Sequence, residues 1–237
     1  MSEQDLNNPA TWGSTLLLPT LNEIEALETI VPQLDRSAVD EILCVDGGST
    51  DGTIEYMESQ GITVLKQTGR GYGCAMQMGL RHAANEIIVE FTPDGNAIPA
   101  RIPDVVAKMR EGYDLVVASR YADGARSDDD SPLTAFGNKM FTTLVNVMFR
   151  ARYTDVLVGF RAFRKSVALD LDLTEEGLSW PCESSIKFAR AGLRVCEVGC
   201  TEPPRIGGER KMIPHKTGMK ILRLIVRERL RRSPAGF

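Results

Sequence analysis

Up to Arg120 the chain alternates short apolar runs with stretches of helical spacing, and most of the runs end in a polar cluster. Ser14–Leu18, Glu41–Val45, Ile62–Leu65, Glu86–Phe91 and Asp114–Ala118 read as strands. Between them, Glu23–Leu34, Thr53–Ser59, Gly73–Ala84 and Pro103–Arg110 read as helices. Strands of continuous apolar character need cover on both faces, and intervening helices return each strand parallel to the last. The pattern therefore predicts an α/β fold with a mostly parallel central sheet flanked by helices.

Beyond Arg120 the character changes. Asp123–Pro132, with the run Asp128-Asp129-Asp130, reads as a loop; Phe136–Phe149 and Trp180–Ala191 read as helices and Leu193–Val198 as a strand. Lys216–Arg232 has amphipathic helical spacing, with Lys216, Lys220, Arg223, Arg227 and Arg231 on one stripe and Met219, Leu222 and Val226 on another. At 237 residues, 43% of them apolar, the chain can bury one substantial core. We expect one domain over residues 1–212 and a basic amphipathic helix over residues 213–237, packed on it or extending from it.

A net charge of −4 gives no reason to expect a nucleic-acid partner. The charge is uneven, however: Arg36 is the only basic residue before Gln60, whereas cations outnumber acids after Thr201. Such asymmetry suits an anionic ligand or membrane surface at one end, and equally suits a solvated basic helix. The five cysteines are odd in number and form no CxxC pair, which fits unpaired thiols in a reducing compartment. With a polar N-terminus and no apolar run long enough to cross a bilayer, the expected location is cytoplasmic, with peripheral membrane attachment left open. Oligomerisation is also left open.

Open parallel sheets bind ligands at the carboxyl ends of their strands, and three polar clusters fall there. Pro19-Thr20-Leu21-Asn22-Glu23 follows the first strand, where Asn22 can cap the next helix and Glu23 can meet a base or ribose. Asp46–Thr53 follows the second; its glycines allow close backbone approach, Asp46 stands at the strand tip, and Asp51 reads as a cap. Thr92-Pro93-Asp94-Gly95-Asn96 follows the fourth. Asp94 and Asn96 offer two hard oxygens of the kind that hold Mg²⁺ or Mn²⁺ against a diphosphate, although a plain Asp-Gly turn reads the same way. Asp94 is expected to face solvent.

Together with Val45 before the second cluster, these segments resemble the family 2 glycosyltransferases with the GT-A (Rossmann-like) fold. Thr154-Asp155, Gly159-Phe160-Arg161-Ala162-Phe163, Glu183, Ala191-Gly192-Leu193 and Arg205–Lys211 are similar to the dolichol-phosphate (polyprenyl-phosphate) mannosyltransferase branch. The resemblance runs from about Thr15 to Lys211 and implies an inverting transfer of a hexose from a GDP- or UDP-linked donor. It implies nucleotide contacts at Pro19, Leu21, Glu23 and Asp46, and at Gly73 in the loop Gly69–Gly73, which looks like the donor-side loop of the family. It further implies a divalent metal on Asp94 and Asn96, and phosphate contacts from Arg120, Arg205 and Lys211, with Asp94 and Arg205 acting in catalysis. The chain departs from the pattern at Thr92, Gly47 and Arg210, where the family often has Asp, Asp and Ser.

A phosphate acceptor is already anionic, whereas a sugar hydroxyl needs a general base, for which Glu183 is the candidate carboxylate. The basic tail fits a polyprenyl-phosphate acceptor or an anionic membrane surface. The alternatives are transfer to a sugar hydroxyl, or a nucleotide-sugar-binding protein without turnover. A nucleotidyltransferase would carry a basic Gly-rich loop after the first strand, and a dinucleotide-binding dehydrogenase a GxGxxG there; neither is present.

Overall fold

The computed structural model describes residues 8–207 and 212–231. Seven strands form one sheet in the order β3-β2-β1-β4-β6-β5-β7: β1 Ser14–Thr20, β2 Glu41–Asp46, β3 Thr63–Lys66, β4 Ile87–Glu90, β5 Leu115–Ser119, β6 Arg161–Arg164 and β7 Val195–Gly199. The helices are α1 Ile24–Ile30, α2 Thr53–Ser59, α3 Tyr72–His82, α4 Ile102–Arg110, α5 Pro132–Phe149, α6 Lys165–Asp170, α7 Trp180–Arg190 and α8 Pro214–Leu230. β1, β4 and β5 are buried from end to end, as strands covered on both faces must be.

Every strand pairing is parallel except those of β6, which runs antiparallel to both β4 and β5. Its four residues include two arginines and carry no apolar run, so periodicity alone does not announce a strand. Arg161 is nonetheless completely buried. Its guanidinium donates to the carbonyls of Val158 and Pro181 and to the hydroxyls of Ser184 and Ser185, which together make a cation tolerable inside the core.

Element ends differ from the sequence reading where caps and prolines intervene. α1 stops at Ile30 and a 3₁₀ turn, Val31–Gln33, replaces its predicted last turn, because Pro32 has no amide hydrogen to continue the ladder. α5 begins earlier than expected: Ser131 accepts from the Thr134 amide at 3.2 Å and Pro132 fills the first helical position. α8 buries Ile221, Leu224 and Ile225 and packs against α5 and α7, while Met219, Leu222, Val226 and Leu230 stay exposed.

The strand order reverses beside β1, with β2 on one side and β4 on the other. Chain leaving the carboxyl ends of β1 and β4 diverges at this switch point, which opens the crevice where such sheets bind ligands.

Candidate active site

A cleft of about 1210 Å³ lies over these strand ends, and Pro19, Leu21, Glu23, Asp94, Asn96, Arg120 and Arg205 all line it. Asp94 is buried, not solvent-facing as expected. Its Oδ2 meets Nη2 of Arg205 at 2.6 Å and its Oδ1 accepts from the Asn96 amide at 3.2 Å. Burial pushes its carboxyl up to about 6, against the pull of Arg205 and with a further push from Glu23. Arg205 reaches Glu23 as well, at 3.3 Å, and so joins the loops after β1 and β4. The backbone fixes this arginine: the Ile206 amide donates to the Asp94 carbonyl at 3.0 Å, and Gly95, at φ 88°, leaves the room that Ile206 fills.

Whether these residues suit a divalent cation can be judged from one atom. Asn96 Oδ1 is buried and has no hydrogen-bond partner among the described residues, an expensive state for an amide oxygen unless a ligand takes it. Two residues on from Asp94 in the same turn and lining the same cleft, it offers a second hard oxygen of the sort Mg²⁺ or Mn²⁺ takes when phosphates and water supply the remainder. No cluster of three or more His, Cys, Asp or Glu side chains competes as a metal site among the described residues.

Other residues named from the sequence sit elsewhere. Asp46 is buried under its own loop, where Oδ1 accepts from the Gly48 and Ser49 amides and Oδ2 from the hydroxyls of Thr20 and Ser49. It shapes the loop whose neighbour Gly47 lines the cleft. Capping is exchanged between loops: Asn22 accepts from the Thr50 amide, while Asp51 accepts from the amides of Ile24 and Thr53. Gly73 serves packing, since a Cβ there would lie 1.9 Å from the Glu175 carbonyl oxygen; its neighbours Arg70, Gly71 and Tyr72 line the cleft instead. Arg120 reaches the cleft floor with its fork closed on Asp155, at 2.6 and 3.0 Å, and its remaining nitrogen 3.4 Å from Glu202. Burial alone would raise the Asp155 carboxyl, but this pairing holds it below its ordinary value. Lys211 lies outside the described residues.

Glu183 requires a correction. It is wholly buried in the first turn of α7 and is not among the residues that line the cleft. Its carboxylate accepts from the Thr174 amide and hydroxyl and from the Glu175 amide, and pairs with Lys187 at 2.9 Å. It organises residues 174–177, which pack on the start of α3, and both of its oxygens are taken by these partners.

Two features escaped the sequence reading. Tyr72 lines the cleft and donates to Glu90 at 2.6 Å, while Trp180 Nε1 donates to the other Glu90 oxygen at 3.2 Å. Glu90 lies fully buried beneath Thr92, and desolvation pushes it up to about 7 although Arg161 draws it down. The position of Tyr72 between two glycines at a helix start was the available signal. The second is Glu202, which ties Arg120 to the Ser127 hydroxyl; a lone acid in a loop carries no periodicity to reveal it.

The family model for glycosyl transferase family 2 matches residues 15–171. The chain belongs to that family. Among its relatives, a dolichyl-phosphate hexose transferase from Haloferax volcanii is 30% identical over 91% of this chain and 95% of its own length. An undecaprenyl-phosphate mannosyltransferase from Micrococcus luteus is 30% identical, over 83% of this chain and 86% of its own. Glycosyltransferase AglJ from Haloferax volcanii is 29% identical, and the chain spans 66% of its length. Among solved structures, glucosyl-3-phosphoglycerate synthase from Mycobacterium tuberculosis, in complex with Mn²⁺, UDP and glucosyl-3-phosphoglycerate, superposes with a TM-score of 0.73. That likeness covers 98% of this chain and 85% of the other at 20% identity, and shows a shared GT-A fold. This family 2 chain is therefore a glycosyltransferase, with its crevice where the fold holds ligands.

Proposed function

We propose that the chain transfers a hexose, with inversion, from a nucleoside diphosphate sugar to a polyprenyl phosphate. The observation that carries the donor half is the meeting of Asp94, Asn96 Oδ1 and Arg205 at the switch point. Pro19, Leu21 and Glu23 form the wall against which the nucleoside rests, and Arg70 and Arg205 offer cationic contacts to the diphosphate. A divalent ion, Mg²⁺ or Mn²⁺, held by Asp94 and Asn96 would supply Lewis-acid neutralisation of the departing diphosphate. The relatives' polyprenyl- and dolichyl-phosphate names support the acceptor, as does the UDP of the structural neighbour the donor class.

The chain's own residues favour an acceptor that brings its charge with it. With Glu183 sealed away, the carboxylates lining the cleft are Glu23, Asp94, Asp129, Asp130 and Glu202, and each is already engaged by a neighbour. None is placed as an idle general base, which a sugar hydroxyl requires and a phosphate does not. In the proposed step a phosphate oxygen forms a bond to the anomeric carbon as the bond to the nucleoside diphosphate breaks, and no proton moves. The open side of the cleft suits a lipid: exposed Leu133, Phe136 and Met140 of α5 stand beside Ile213, Lys216 and Lys220. No helix among the described residues is long and apolar enough to cross a membrane.

The test is transfer of radiolabelled sugar from GDP- and UDP-linked donors, with Mn²⁺ or Mg²⁺, to polyprenyl phosphate and, in parallel, to free sugars. Label in the lipid phase supports the proposal. Transfer to free sugars alone, or to nothing, ends it.

A further inference from the structure

Arg205 occupies one oxygen of the carboxylate that the donor site would offer to a cation. Its Nη2 lies 2.6 Å from Asp94 Oδ2 and its Nη1 3.3 Å from Glu23, in a site where all three side chains are mostly shielded from water. Asp94 Oδ1 is taken by the Asn96 amide, so both oxygens of this carboxylate are engaged and only Asn96 Oδ1 is left open. Resting on the donor site proposed above, we infer that Arg205 is a resident counter-ion that blocks the cation position until a diphosphate draws it off, so that cation and nucleotide enter together.

Charge balance is the argument. Taken as a trio, the carboxylates of Glu23 and Asp94 and the Arg205 guanidinium carry one net negative charge. A divalent ion arriving alone would reverse that sign and face the guanidinium at close range in a poorly screened site. A divalent ion arriving with a doubly anionic sugar diphosphate leaves the balance unchanged. The exchange is chemically even as well: the guanidinium fork gives up its Asp94 and Glu23 oxygens for two phosphoryl oxygens, which it binds in planar geometry. The backbone of the arginine need not move for this, because Ile206 stays hydrogen-bonded to Asp94 and seated on Gly95 while the side chain swings.

The experiment is a titration of the full chain with Mn²⁺ and no nucleotide, following loss of the free-ion signal by electron paramagnetic resonance. Arg205→Gln is expected to bind Mn²⁺ at least about tenfold tighter than the wild type. Arg205→Lys, which can engage one acid at a time, is expected between them and carries the test should the glutamine variant not fold. Adding Asp94→Asn must erase the gain. No gain in either variant, or a gain that survives Asp94→Asn, overturns the inference. Because no donor is present, this readout stands apart from the transfer assay: absent sugar transfer would remove the proposed reaction and leave the Mn²⁺ comparison to be judged by itself.

Discussion

Asp94 and Glu183 are both acids almost wholly withdrawn from water, and their surroundings give them opposite work. Asp94 lines a cleft with an arginine on its carboxylate and an orphaned amide oxygen two residues on; Glu183 has a lysine and a ring of donors in the protein interior. Asp94→Asn should therefore lower sugar transfer by about 10²–10³-fold, as expected for loss of charge stabilisation on a leaving group, with a small change in melting temperature. Glu183→Gln should do the reverse. Stranding Lys187 in the interior costs about 3–5 kcal/mol, visible in urea melts, while transfer per folded molecule stays within about threefold of wild type. A drop of about 10² or more in that variant would restore Glu183 as a base. Glu90 gives a pH signature. Its carboxyl, ordinarily at 4.5, is raised to about 7 by burial, so the folded chain keeps a proton that the unfolded chain has already lost across that interval. Stability should fall as pH climbs from 4.5 to about 7 and then level off. Glu90→Gln, which mimics the protonated form, should flatten this decline; parallel melting profiles for the two proteins would contradict it. The sequence made Asp94, Asn96 and Arg205 legible because they sit in motifs at strand ends. It could not reveal that Glu183 is sealed, since a helix acid looks the same on a solvated face as in the core.

At the scale of elements, the parallel strands and their helices were legible wherever an apolar run or a helical period was long. β6 was not, because its burial depends on Arg161 finding four neutral acceptors from a loop and from α7, a tertiary arrangement no local pattern encodes. The early start of α5 was written in Ser131-Pro132, a cap and a first-turn proline that read equally well as loop. The start of α3 illustrates a constraint between elements. Gly73 lies against the backbone of Glu175, and the Cys74 amide donates to the Glu176 carbonyl at 3.2 Å. Gly73→Ala would push residues 175–177 off the loop that carries Arg70 and off the first turn of α3, which carries Tyr72. We expect a loss of about 1–3 kcal/mol in stability and a raised KM for donor, larger than the change in kcat, measured by steady-state kinetics and thermal melts.

Over the whole molecule, cationic and apolar side chains of α5 and α8 collect on the open side of the cleft. If that side rests on lipid, binding to vesicles containing anionic phospholipid should weaken as salt rises. Each of Lys216→Gln and Lys220→Gln should reduce vesicle affinity about fivefold, at roughly 1 kcal/mol per charge near the surface. Sedimentation with vesicles measures this, and salt-independent or absent binding would count against a lipid-facing orientation. The reversed direction of β6 bears on how the chain tolerates change. Gly159 and Phe160, just before its leading end, line the cleft, while its trailing end runs into α6 at the opposite end of the strands. A spliced reporter peptide at the start of α6, around Ser166, should thus disturb the cleft far less than the same insertion before Arg161, which would land in it.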